Sequence, residues 1–105
     1  MASNGEIDWE SWEPANPIEM TSVIDQLKIE VGPSHQIYHV LDSATIFARD
    51  GASDDVLVSN PNDPSTVFIV HPTWSRAVEP NNHFPGTIKI ATASVPSSLL
   101  RHFGN

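Results

Sequence analysis

The sequence predicts an α+β domain: an N-terminal helix packed on an antiparallel meander of three to four strands, closed by a short C-terminal helix. Three observations predict it. Apolar residues recur at helical spacing across residues 17–31. Four short runs with strand patterning follow, most of them bounded by Gly, Pro, Asn or Asp clusters. These runs are closely spaced with short turns, whereas parallel crossovers need a dozen or more residues. A chain of 105 residues supports one modest core, so residues 1–105 form a single domain.

Residues 1–16 read as an acidic arm that carries Trp9 and Trp12. Pro14 stops any helix within it. Asn16-Pro17-Ile18-Glu19 then reads as a helix start, with Asn16 as N-cap, Pro17 at the first helical position and Glu19 placed for a capping box. Met20, Val23, Ile24, Leu27 and Val31 supply the apolar stripe, and Gly32-Pro33 ends the helix. Ser34–Tyr38 is a loop. Ser43–Arg49 alternates as a strand, with Ala44, Ile46 and Ala48 on one face and Thr45, Phe47 and Arg49 on the other. Asp50–Asp54 is turn chemistry, Asp55–Ser59 a second strand and Asn60–Pro64 a second turn. Thr66–His71 is the most β-branched run and reads as the central strand; Pro72 breaks it. Ser75–Pro85 is polar and rich in Asn and Pro, so it reads as a loop. Thr87–Thr92 is a fourth strand, and Pro96–Phe103 a short helix with Leu99, Leu100 and Phe103 as its apolar positions.

Charge narrows the function classes. The chain has 5 Lys and Arg against 13 Asp and Glu, for a net charge of −8. Eleven of the acids and two of the bases lie in residues 1–55. Nucleic-acid affinity comes largely from displacing counterions with Lys and Arg, so DNA and RNA are not expected ligands. An acidic face suits a basic protein partner, and it also serves solubility. There is no Cys, which excludes disulfides and thiolate sites. No apolar run nears the ~18 residues of a spanning helix, and the acidic start lacks a leader's apolar core. No membrane association and a cytoplasmic location are expected.

Several short segments resemble a pattern carried by small bacterial proteins for which no activity is established. Those proteins show Gly-His-Pro-Leu-Tyr, a strand ending in Ala-Arg, then Asp-Asp-Val-Leu-Phe and Val-Val-His-Leu-Thr-Trp-Ser. This chain is similar at Ser34-His35-Gln36-Ile37-Tyr38, Phe47-Ala48-Arg49, Asp54-Asp55-Val56-Leu57-Val58 and Ile69-Val70-His71-Pro72-Thr73-Trp74-Ser75. It departs at Gln36 and Pro72, where Pro and Leu are usual. The resemblance implies a small α+β fold and an accessory role, of the kind found in bacterial genomes and mobile gene cassettes.

Chemistry-bearing residues are few. His71 ends the central strand beside Pro72 and Trp74, where an imidazole could move protons near neutral pH. Antiparallel pairing of 55–59 with 66–71 brings Asp55 next to His71, so His71, Asp55 and Asp54 are the candidate catalytic residues. Tyr38, Phe47, His71 and Trp74 are the candidate walls of a ligand pocket. Against this stands the plainer reading of a hydrogen-bonded strand-end histidine and turn-forming aspartates. His35 and His39 have a zinc-like spacing but follow Gly-Pro in a loop, so no metal and no cofactor are expected. No nucleophile elbow or phosphate loop is present. Trp9 and Trp12 are the candidate partner-binding anchors, or a cover for the sheet. The composite expectation is a small acidic interaction or regulatory module rather than an enzyme, self-associating as a homodimer because an open sheet needs cover.

Overall fold

The computed structural model describes residues 7–33, 35–72, 86–101 and 103. The expected loop at 75–85, together with Trp74, lies outside them. Strands β1 (Trp12–Pro14), β2 (Ile46–Asp50), β3 (Val56–Ser59), β4 (Thr66–His71) and β5 (Gly86–Ala91) form one antiparallel sheet in the order β1-β2-β3-β4-β5. Helix α1 (Thr21–Glu30) lies in the β1–β2 connection. The α+β class and the meander stand, but among the described residues the sheet has five strands. The extra one is β1, which pairs Trp12 with Asp50 and Pro14 with Ala48. It is three residues long and ends in Pro, which only an edge strand tolerates.

Both faces of the sheet are covered over β2, β3 and β4. On one side α1 and the following loop pack Ile24, Leu27, Val31, Ile37 and Leu41 against Ile46, Val56, Val58, Phe68 and Val70. On the other, Trp12, Val95 and Leu99 pack against Phe47, Leu57, Val67 and Ile69. Two-sided burial explains why β3 and β4 are apolar runs rather than alternating ones.

Three expectations need correction. The helix begins at Thr21, not Pro17. Pro17–Met20 is a tight turn in which the Glu19 and Met20 N–H groups donate to the Asn16 and Pro17 carbonyls at 3.0 and 3.2 Å. Asn16 caps that turn instead, its Oδ1 accepting from Ile18 N at 2.9 Å. The expected C-terminal helix is two 3-10 turns, Thr92–Ser94 and Ser97–Leu100, which still bury Leu99. Finally, Ala48 does not share a face with Ala44 and Ile46. The register shifts between Ile46 and Ala48, so one extra residue is inserted in β2. Beyond this bulge the faces invert: Phe47 and Ala48 both join the far cluster, while Ala44 and Ile46 stay on the helix side.

Candidate functional site at the end of the central strand

The β3–β4 ladder sets the site. Val56 pairs with Val70, so Asp55 and His71 stand opposite each other one step further along. His71 Nδ1 and Asp55 Oδ1 are 2.5 Å apart. A carboxylate has no proton to give, so Nδ1–H of the ring is the donor. An imidazole oriented by a carboxylate in this way is able to exchange protons through Nε2. Its side chain is 60 % exposed, against 28 % for Asp55. The pair is a solvent-facing contact, not a buried dyad.

Asp54 does not join it. This residue closes the β2–β3 turn in the left-handed region, with φ 66°, which Asp tolerates better than most side chains. It lines a cleft with Met20 and Arg49 on the helix side. Leu57 and Ile69, two residues along from Asp55 and His71, belong to the far cluster, so strand alternation places the His71–Asp55 pair on that face.

Of the four pocket walls expected from the sequence, the described residues place Phe47 and Tyr38 apart. Phe47 is fully buried in the far cluster, its ring 5.1 Å from that of Phe103. Tyr38 lines a separate cleft of about 240 Å³ with Lys28, His39 and Asp42, its ring edge-on to that of His39. Trp74 lies outside the described residues. The Trp9 and Trp12 rings meet at 5.5 Å. Trp12 is core and Trp9 packs against the same cluster, so the pair covers the sheet within the monomer.

Two buried polar residues escaped the sequence reading as site residues. Glu30 is fully buried near the end of α1 and accepts from Gln26 Nε2 at 2.8 Å. His35, 4 % exposed, accepts from Ile37 N at Nδ1 and has Nε2 3.5 Å from Thr87 Oγ1. Thr87 pairs with Val70, whose side chain is on the helix side. His35 and His71 therefore reach the same end of the sheet on opposite faces. The signal for Glu30 was present: it follows Leu27 by three residues, on the stripe of Ile24, Leu27 and Val31. His39 is exposed and does not join His35. Among the described residues no group of three or more His, Asp or Glu is placed to hold a metal ion. No helix among them is long and apolar enough to cross a membrane.

At the β2–β3 turn, Asp50 is held as a carboxylate. Its Oδ1 accepts from the Ser11 hydroxyl at 2.5 Å and from Ala52 N at 2.9 Å, and its Oδ2 from the Ser53 hydroxyl at 2.9 Å. These bonds, Ser11 first, lower its pKa below the ordinary Asp value against a small opposing effect of burial. Arg49 alongside donates through Nε and Nη2 to Glu13 Oε1 at 3.0 and 2.8 Å, which ties β1 to β2.

No protein-family model matches the chain, and no curated protein or solved structure matches it.

Proposed function

We propose that the protein is a small, acidic, non-catalytic interaction module that self-associates through β5. The observation that carries this reading is the exposed Ile88 on an edge strand. With both faces covered over β2, β3 and β4, the edges are what the meander leaves for pairing. The β1 edge is short and ends in Pro14, a blunted edge. By contrast, β5 is six residues long, and Ile88 on it is 58 % exposed.

The ladder supplies the register. Thr92 N–H donates to Ser65 O at 2.8 Å, one step beyond the Thr66–Ala91 pair. Hydrogen-bonded pairs alternate along an antiparallel ladder, so Ile88 and Ile90 bond inward to β4. The backbone groups of Thr87, Lys89 and Ala91 point outward. In keeping with this, Gln36 Nε2 reaches Thr87 O from outside at 3.3 Å. A two-fold axis at Ile88 then sets Ile88 against the partner's Ile88 and Thr87 against the partner's Lys89, whose N–H takes the Thr87 carbonyl over from Gln36. That register buries the exposed isoleucines and keeps the two lysines from facing each other. Residues 86–105 contain no Asp or Glu, so this edge escapes the repulsion that the acidic half would impose. Light scattering should give twice 11.5 kDa at micromolar concentration, and Ile88→Lys should return the monomer mass. A monomer at every concentration, or a dimer untouched by Ile88→Lys, refutes the reading. An accessory role of this kind is in keeping with the likeness to the small bacterial proteins.

A second reading, a small-molecule site or small enzyme around His71 and Trp74, is favoured by the His71–Asp55 contact alone. The exposure of His71 weighs against it, because ligand sites bury most of the ligand surface. A fragment screen by NMR that moves the resonances of His71 and Asp55 would support it; their indifference to every fragment would remove it.

A further inference from the structure

We propose that the cleft beside the first turn of α1 is a docking groove for a basic peptide segment with apolar anchors. The groove is at the β1–β3 side of the sheet, away from the β5 edge, so it stands independently of self-association.

Two adjoining hollows make the groove, of about 360 and 280 Å³, and they share Met20 and Arg49. The floor of the larger is apolar: Met20, just before α1, and Val23, in its first turn, pack onto the cluster containing Val56. Ile18, 80 % exposed, is on the turn that leads into the helix. Scattered exposed apolar residues are ordinary; this one lies in the chain between Asn16 and Glu19, which line the smaller hollow.

The walls are acidic. Asp50 and Asp54 border the larger hollow, and Glu13 and Glu19 the smaller. The one cation among the lining residues, Arg49, already has its guanidinium on Glu13. A ligand therefore meets surplus negative charge over an apolar floor. The β2–β3 turn keeps Asp50 ionised through its three hydrogen bonds. These hollows lie in the half of the chain that carries eleven acids and two bases. Lysine or arginine flanking one or two apolar side chains is the complementary chemistry. The apolar groups would anchor in the hollow, and the cations would pair with Glu19 and Asp54 at the rim. An acidic peptide would be repelled, which gives the groove its selectivity.

The test is titration of the whole protein with a short fluorescent peptide of lysine and leucine, beside the same peptide with glutamate for lysine. The lysine peptide should bind, and raising ionic strength from about 10 to 150 mM, which shortens the Debye length from ~30 to ~8 Å, should weaken it several-fold. Amide shifts should concentrate at Met20, Val23, Arg49 and Gly51. Glu19→Gln with Asp54→Asn should weaken binding roughly three- to tenfold, on the scale of two exposed ion pairs. Both residues are exposed, and Asn accepts the left-handed backbone of position 54, so the variant should fold. The monomeric Ile88→Lys variant should bind with the same affinity per chain, which separates failure of this proposal from failure of the dimer. No binding of the lysine peptide, equal binding of the glutamate peptide, or shifts centred elsewhere would overturn it.

Discussion

Replacing Leu27 with Ala tests the packing of the helix layer. Leu27 is fully buried in the middle of α1, in the cluster that joins the helix to Val56, Val58, Phe68 and Val70. The truncation removes three carbons, a transfer loss of ~2.4 kcal/mol at ~0.8 per carbon. The void adds about 24 cal/mol for each Å³ that the surroundings fail to fill. Collapse is restricted here. Val31 N–H bonds to Leu27 O at 3.0 Å, Gly32-Pro33 ends the helix, and the sheet beneath is hydrogen-bonded. The expected cost is ~3–4 kcal/mol, a large share of the ~5–15 kcal/mol that holds a domain together. Guanidinium denaturation followed by tryptophan fluorescence measures it, with the slope m unchanged. Ile29→Ala is the control: two residues away and 44 % exposed, it should cost no more than ~0.5 kcal/mol. A Leu27→Ala cost below ~1 kcal/mol, or one matched by Ile29→Ala, would mean that α1 does not pack through the face described.

Two further outcomes follow from the β2–β3 turn. The folded pKa of Asp50 is lowered, so its contribution to stability is complete above the unfolded value of ~3.9 and fades as pH falls through the folded one. Thermal melts in acid should show the deficit of Asp50→Asn shrinking over that window, and Ser11→Ala should move the Asp50 carboxyl titration upward; an unmoved titration would deny Ser11 its role. At Asp54, held at φ 66°, Gly should be neutral or stabilising, whereas Val should cost ~1–2 kcal/mol, read from the same denaturation curves. Equal stability of the two variants would deny the left-handed backbone there.

Local signals made much of the fold legible. Thr66–His71 is β-branched and closed by Pro72, and it is a strand over those same residues. The Leu27 stripe and the Gly32-Pro33 stop located the helix to within four residues at its start. Alternation, turn chemistry and pairing geometry also brought Asp55 beside His71, because antiparallel register needs nothing but the two ends of a short hairpin. What the sequence by itself determined, then, is what neighbours along the chain enforce: propensity, period and turns.

The tertiary structure decided the rest. Trp12–Pro14 is a strand because β2 offers it an edge and the far face offers Trp12 a place to be buried; three residues ending in Pro carry no strand signal of their own. The bulge in β2 sends Phe47 and Ala48 to the same face, a change that period-two reading cannot foresee. Phe47 keeps the face opposite Ile46 and is buried there in the far cluster, apart from the cleft that Tyr38 lines. Whether His35 and His71 meet was likewise settled by the sheet between them, since long-range contacts depend on which face each strand turns toward the helix. The groove at Met20 and Arg49 arises in this way too: its walls come from three segments that meet only when α1 closes over the β1–β3 edge.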